Sequence, residues 1–181
     1  MATRLRFNTA REVFDAFPSA REDMVIEPTD EAPPAFLQGL LSSPTPEEAI
    51  TFCAYMLPPR DAVWWAHQCV TLNGSEFSPE EKDLIDVAEF WVREPEEGNR
   101  RKALAAGMNA RVKTPGAWVA LAAGWSGGSM AVGPAEPVPA PPHLTARAAN
   151  AAVLGSLARV GMERRAEFLT AYAQGGLNLA A

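Results

Sequence analysis

The sequence is poor in the residues that carry most recognisable chemistry. It holds two cysteines and two histidines in 181 residues. No CxxC pair occurs, which argues against a disulfide framework or a thiol-rich zinc module. Aspartate stops at Asp86, so an acid in the second half must be a glutamate. No run alternates apolar and polar residues over six positions with β-branched enrichment, which argues against a sheet. Glycine-rich phosphate loops, HExxH, EF-hand and paired-carboxylate signatures are missing, so no cofactor and no metal is implied. The longest uncharged stretch, residues 114–135, is broken by Pro115, Pro134 and several glycines. It is rejected as a membrane span. The opening MATRLRFNTAREVF has charges but no apolar run, so it does not read as a secretory signal. The expectation is a cytoplasmic protein with no membrane contact.

Charge is present but uneven. The formal total is -6. Residues 1–94 carry 7 basic and 17 acidic side chains, whereas residues 95–181 carry 9 and 5. An acidic front half speaks against nucleic acid as the partner, because that needs a basic footprint. The cluster Arg100-Arg101-Lys102 and the pair Arg164-Arg165 read as solvated helix faces, while Arg93, Glu94, Asn99 and Arg100 also read as a buried, salt-bridged helix corner.

Proline is plentiful and acts as punctuation. Thr45-Pro46-Glu47-Glu48, Ser78-Pro79-Glu80-Glu81 and Glu94-Pro95-Glu96-Glu97 each have the form of a helix start. A hydroxyl can cap the free amides, proline fits the first turn, and the acids face the positive dipole end. Thr114-Pro115 is a fourth start without the acids. Helices are expected over residues 9–17, 34–41, 46–56, 60–72, 79–93, 95–111, 115–125, 144–160 and 162–174. The fold class is all-α, a compact array of eight or nine helices. Short connections predict antiparallel hairpins, stacked somewhat like a short solenoid. Residues 1–33 form an N-terminal helix and acidic linker, and residues 34–181 the helical domain. Residues 19–33 and the Gly/Pro-rich residues 127–142 are expected to be irregular, the second half of the latter extended.

GWSGGSM, residues 124–130, contains Gly-x-Ser-x-Gly. A nucleophile elbow needs a strand before the serine and a helix after it. Here AWVALAAGW precedes Ser126 with a helix pattern, and GGS follows it. The segment reads instead as a helix end, with Gly127 or Gly128 in the left-handed cap. His143 is the one histidine downstream. His67 and Cys69 are two apart and do not share a helix face. Cys53 and Cys69 read as core thiols and His67 as interfacial. Ser126, His67 and His143 are the sensible polar centre if the chain is an enzyme. No residue is assigned a catalytic role.

The five tryptophans all fall on expected helices. Trp118 and Trp125 are seven apart and share a face, and Trp118 is expected deep in the core. Trp64 and Trp65 point about 100° apart, so one anchors the core and the other an edge. The expected binding surface comprises Trp65, Trp125, Ser126, Gly127, Gly128, Pro141, Pro142 and His143. There, exposed indoles would hold the proline loop or a partner's proline-rich segment.

The blocks AVWWAHQCV, AEFWVREPEEGNRRKA, TPGAWVALAAGWSGGSM and PPHLTARAANAAVL, in that order, resemble an uncharacterised family of bacterial helical proteins, a domain of unknown function. The likeness spans roughly residues 35–175. It implies a proteobacterial source and an association with type VI secretion genes. It transfers no catalytic residue. The expected function is a non-enzymatic adaptor that docks a protein partner, and a homo-oligomer is compatible with it. An immunity-type inhibitor using the acidic front half is the alternative, beside the small enzyme.

Overall fold

The apolar run PGAWVALAAG becomes the central helix of the fold. The computed structural model describes residues 5–74, 76–131 and 136–181. Among them are ten α-helices: α1 (Ala10–Ala16), α2 (Ala20–Asp23), α3 (Pro33–Leu41), α4 (Glu48–Met56), α5 (Pro59–Leu72), α6 (Pro79–Arg93), α7 (Glu97–Asn109), α8 (Pro115–Gly124), α9 (His143–Leu157) and α10 (Arg165–Ala180). A 3-10 turn at Met162–Arg164 precedes α10. The described residues contain no strand, only an isolated antiparallel bridge between Ser129 and Pro139.

Every residue of α8 is buried except the half-buried Trp118. A helix that is apolar all round must be covered on every side, and α5, α6, α7 and α9 cover this one. Its small side chains let neighbours come close. A Cβ added at Gly124 would lie 2.6 Å from the Leu104 Cα, so the α7–α8 crossing requires glycine there. Consecutive helices pack together from α6 to α9, as short connections favour. The array is nevertheless not a solenoid, in which each unit touches only its neighbours. The long segment after α8 brings α9 back across α4 and α5.

Two predicted caps form, at Ser78 and Thr114, and Thr9 supplies a third that was not predicted. The hydroxyls of Thr9, Ser78 and Thr114 accept from the amides of Glu12, Glu81 and Ala117. Thr45 does not cap α4, which starts two residues late, at Glu48, after an uncapped turn. Glu48 turns instead to the linker, accepting from the amides of Val25 at 2.9 Å and Ile26 at 3.1 Å. The linker is less irregular than expected. It holds the single turn α2, nucleated over buried Ala20. The carbonyls of Glu31 and Thr29 accept from the Ala10 and Arg11 amides that open α1. Phe14 of α1 packs on Phe36 and Phe52, so the N-terminal helix shares the main core.

Candidate functional site

The two ends of α8 are finished differently, and the site lies at the C-terminal one. Arg100 of α7, read from the sequence both within a basic face and within a buried helix corner, is 4% exposed and points at that end. Its Nη1 donates to the Gly124 carbonyl and its Nη2 to the Ser129 carbonyl at 3.0 Å. Glu97 grips the same guanidinium through both carboxylate oxygens, each at 2.7 Å. That bidentate pairing holds the Glu97 carboxyl below its ordinary range. A cation on the last carbonyls of a helix satisfies orphan acceptors and opposes the dipole. Gly128, at φ +58°, lies against it: a Cβ there would meet Arg100 Nη2 at 2.9 Å. GWSGGS is thus an arginine-clamped helix end. The Ser126 hydroxyl donates to the Ala123 carbonyl at 2.7 Å.

The following segment doubles back. The Met130 amide donates to the Val138 carbonyl at 2.8 Å, the Ala140 amide to the Gly128 carbonyl at 3.2 Å, and the Val138 amide to Ser129 Oγ at 3.0 Å. Its two arms therefore pair with each other, clamped at the base by Arg100. Val138 and Pro139 remain exposed rather than lying along the helices. Residues 132–135 of the expected loop lie outside the described residues.

Between this helix end, the returning arm, α4, α5 and the start of α9 lies a cavity of about 250 Å³. Phe17, Tyr55, Leu57, Pro59 and Trp125 make its apolar wall, with Ser126, Gly127, Pro142 and Thr145 beside them. Arg6 contributes the one charged side chain of the described lining. It stands over the rings of Phe7 and Phe17, 5.2 and 5.9 Å from their centroids. Beneath the wall runs a polar network. The Tyr55 hydroxyl donates to Asp23 Oδ2 at 2.5 Å and lies 3.1 Å from Ser19 Oγ. Arg147 donates to both Asp23 oxygens at 2.9 Å and to Glu22 at 2.7 Å. Burial works against ionisation of Asp23, but the bonds from Arg147 and Tyr55 outweigh it and hold the carboxyl below its ordinary range. Burial and the Asp23 bond push the Tyr55 hydroxyl up to about 12.

Of the expected surface, Trp125, Ser126, Gly127 and Pro142 converge on this cavity. Pro141 is exposed beside it, and its carbonyl accepts from the Leu144 amide. His143 opens α9 next to Pro142. Trp65 does not join them, against the expectation of an exposed indole. Its indole is fully buried between α5 and α10, donating from Nε1 to the Tyr172 carbonyl at 2.8 Å, and it offers no exposed ring. Trp64 is the half-buried member of the pair. Trp118 is half-buried too, not deep in the core as expected.

His67 is bonded elsewhere than the serine. It stacks on Trp64 at 5.1 Å, and its Nε2 sits 3.5 Å from Glu89. Burial drives its pKa down, against the pull of Glu89 and Asp86. Cys53 and Cys69 are buried free thiols, held protonated by burial. Among the described residues no helix is long and apolar enough to cross a membrane.

The sequence pattern does not single out Tyr55, Thr145 or Arg6 as site residues. They lie 70 or more positions from Trp125 or in a different element, or carry no local pattern. Only Thr145 had a signal, as the hydroxyl in the opening turn of an expected helix.

These features define an all-helical domain whose central helix ends at a small aromatic-walled cavity. The chain belongs to DUF6931, a family of unknown function, whose family model matches residues 36–180. No curated protein and no solved structure matches it.

Proposed function

We propose that the chain is a non-enzymatic adaptor that docks a protein partner at the cavity beside Trp125. The carrying observation is that four side chains or backbones singled out by pattern, Trp125, Ser126, Gly127 and Pro142, line one cavity with aromatic walls. Aromatic anchors in small pockets dominate protein recognition. The family resemblance suggests that the partner is a component or cargo of a type VI secretion apparatus and that docking takes place in the cytoplasm.

Gly127 supplies a clean test. It lines the cavity, and a Cβ there would meet nothing within 4 Å. Gly127→Leu therefore adds apolar bulk at the cavity lining with no clash at its Cβ. Affinity capture from the source cell, followed by mass spectrometry, should return a protein with the wild-type chain and lose it with Gly127→Leu. Capture that survives the plug contradicts the reading and favours an inhibitor that works through the acidic front half.

A further inference from the structure

We infer that the cavity receives the carboxyl terminus of a partner polypeptide whose last side chain is apolar. This rests on the docking reading and adds the chemistry of what docks. At about 250 Å³ the cavity holds roughly one large side chain, below the usual size of small-molecule sites. Phe17, Tyr55 and Trp125 suit an apolar body.

The hydroxyls of Ser126 and Tyr55 are taken up by the Ala123 carbonyl and Asp23, which leaves Thr145 and Arg6 as the polar side chains of the lining to consider. Thr145 lines the cavity and is 4% exposed. Its hydroxyl has no hydrogen-bond partner among the described residues. Among the described residues the buried side-chain polar atoms without a partner are Thr45 Oγ1 and His67 Nδ1, so the Thr145 oxygen is reached by solvent and is open to a ligand that enters the cavity. Arg6, the one charge of the described lining, makes no ion pair among the described residues. The first turn of the fifteen-residue α9 has no side-chain cap, and Pro142, Thr145 and Ala146 at that turn line the cavity. A helix N-terminus favours an anion. Arg147 is shared between Asp23 and Glu22, so the negative charge of that pair is partly compensated. Hydroxyl, guanidinium and helix start together match a carboxylate attached to an apolar group. Val138 and Pro141, exposed beside the cavity, offer a surface along which the residues before that terminus can lie.

Calorimetric titration of the full chain tests this with three probes: acetyl-Gly-Gly-Phe, the same peptide as its C-terminal amide, and hydrocinnamate. The acid peptide should bind, and the amide should bind about tenfold more weakly, the loss expected for one charge-assisted contact. Arg6→Gln and Thr145→Val should each weaken the acid peptide and leave the amide unchanged, with unaltered thermal midpoints showing that both variants fold. Equal affinity for acid and amide overturns the carboxylate inference while the docking reading stands. So does failure of both peptides to bind while partner capture remains sensitive to Gly127→Leu. Hydrocinnamate binding more tightly than the peptide overturns the polypeptide terminus in favour of a free small carboxylate.

Discussion

The N-terminal end of α8 is closed and its C-terminal end is open. At the first, the Thr114 hydroxyl caps the Ala117 amide, Pro115 occupies the first turn, and buried Glu81 accepts from the Gly116 amide at 3.2 Å. Arg159 completes that junction by pairing with both Glu81 oxygens, at 3.0 and 3.1 Å. Each of these groups has a partner, and the carboxylate complements the positive end of the helix dipole. At the second end, Arg100 satisfies the carbonyls, yet beside it remain a cavity and an unmatched Thr145 hydroxyl. Both ends stabilise the helix. Only one leaves space and unspent hydrogen-bonding capacity, which is what separates a candidate site from a structural junction.

The comparison can be broken from either side. Arg100→Ala has the largest expected effect. It strips the donors from the Gly124 and Ser129 carbonyls and should cost about 2–5 kcal/mol, from roughly 1–3 for each carbonyl left without a partner. Chemical denaturation would measure it, and the cavity should be lost with the clamp. Glu81→Ala at the closed end should cost about 2–4 kcal/mol by orphaning the Gly116 amide and Arg159, but should leave partner capture intact in whatever fraction is folded. Ser126→Ala should cost under about 1 kcal/mol, because it removes one local bond to the Ala123 carbonyl. A larger loss would mean that the serine is integral to the clamp.

The smallest effect is a pH dependence remote from both ends. His67 has a folded pKa below its ordinary value of about 6.5. The unfolded chain therefore binds the proton first, so stability is full above that value and falls as the pH drops through it towards the folded pKa. His67→Gln should flatten the slope of the thermal midpoint across this window, and an unchanged slope would assign the dependence to other groups.

What was readable in the sequence was mostly local. The caps at Ser78 and Thr114 and most helix starts followed from hydroxyl, proline or acid within four residues. The order of α8 and GWSGGS was enough to see a helix end where a motif suggested a nucleophile. Long-range partners hid the rest. Arg100 sits in a basic triplet typical of a solvated surface, and only its reach to residues 124–129 makes it a buried clamp. Thr45 had the form of a cap, but Glu48 is drawn to the linker amides and α4 opens later. Trp64 and Trp65 could be split into core and edge by their angle, but not assigned, since Tyr172 decides which is buried. The cavity joins α4, α5, α8, α9 and the N-terminal segment. The serine, the glycine and the prolines drew notice as motifs, whereas Tyr55 and Arg6 are isolated in the sequence and become neighbours only in the fold.

Thr145→Val tests most directly whether the open end of α8 is a working site. The substitution keeps the branched shape and removes the hydroxyl. A hydroxyl that bonds no protein group among the described residues and is reached by solvent should add little to the fold. Paired measurements of thermal midpoint and binding of the captured partner should show an unchanged or raised midpoint together with weakened binding. A lowered midpoint with undiminished binding would show that the hydroxyl serves the fold, and would contradict the assignment of this cavity as the docking site.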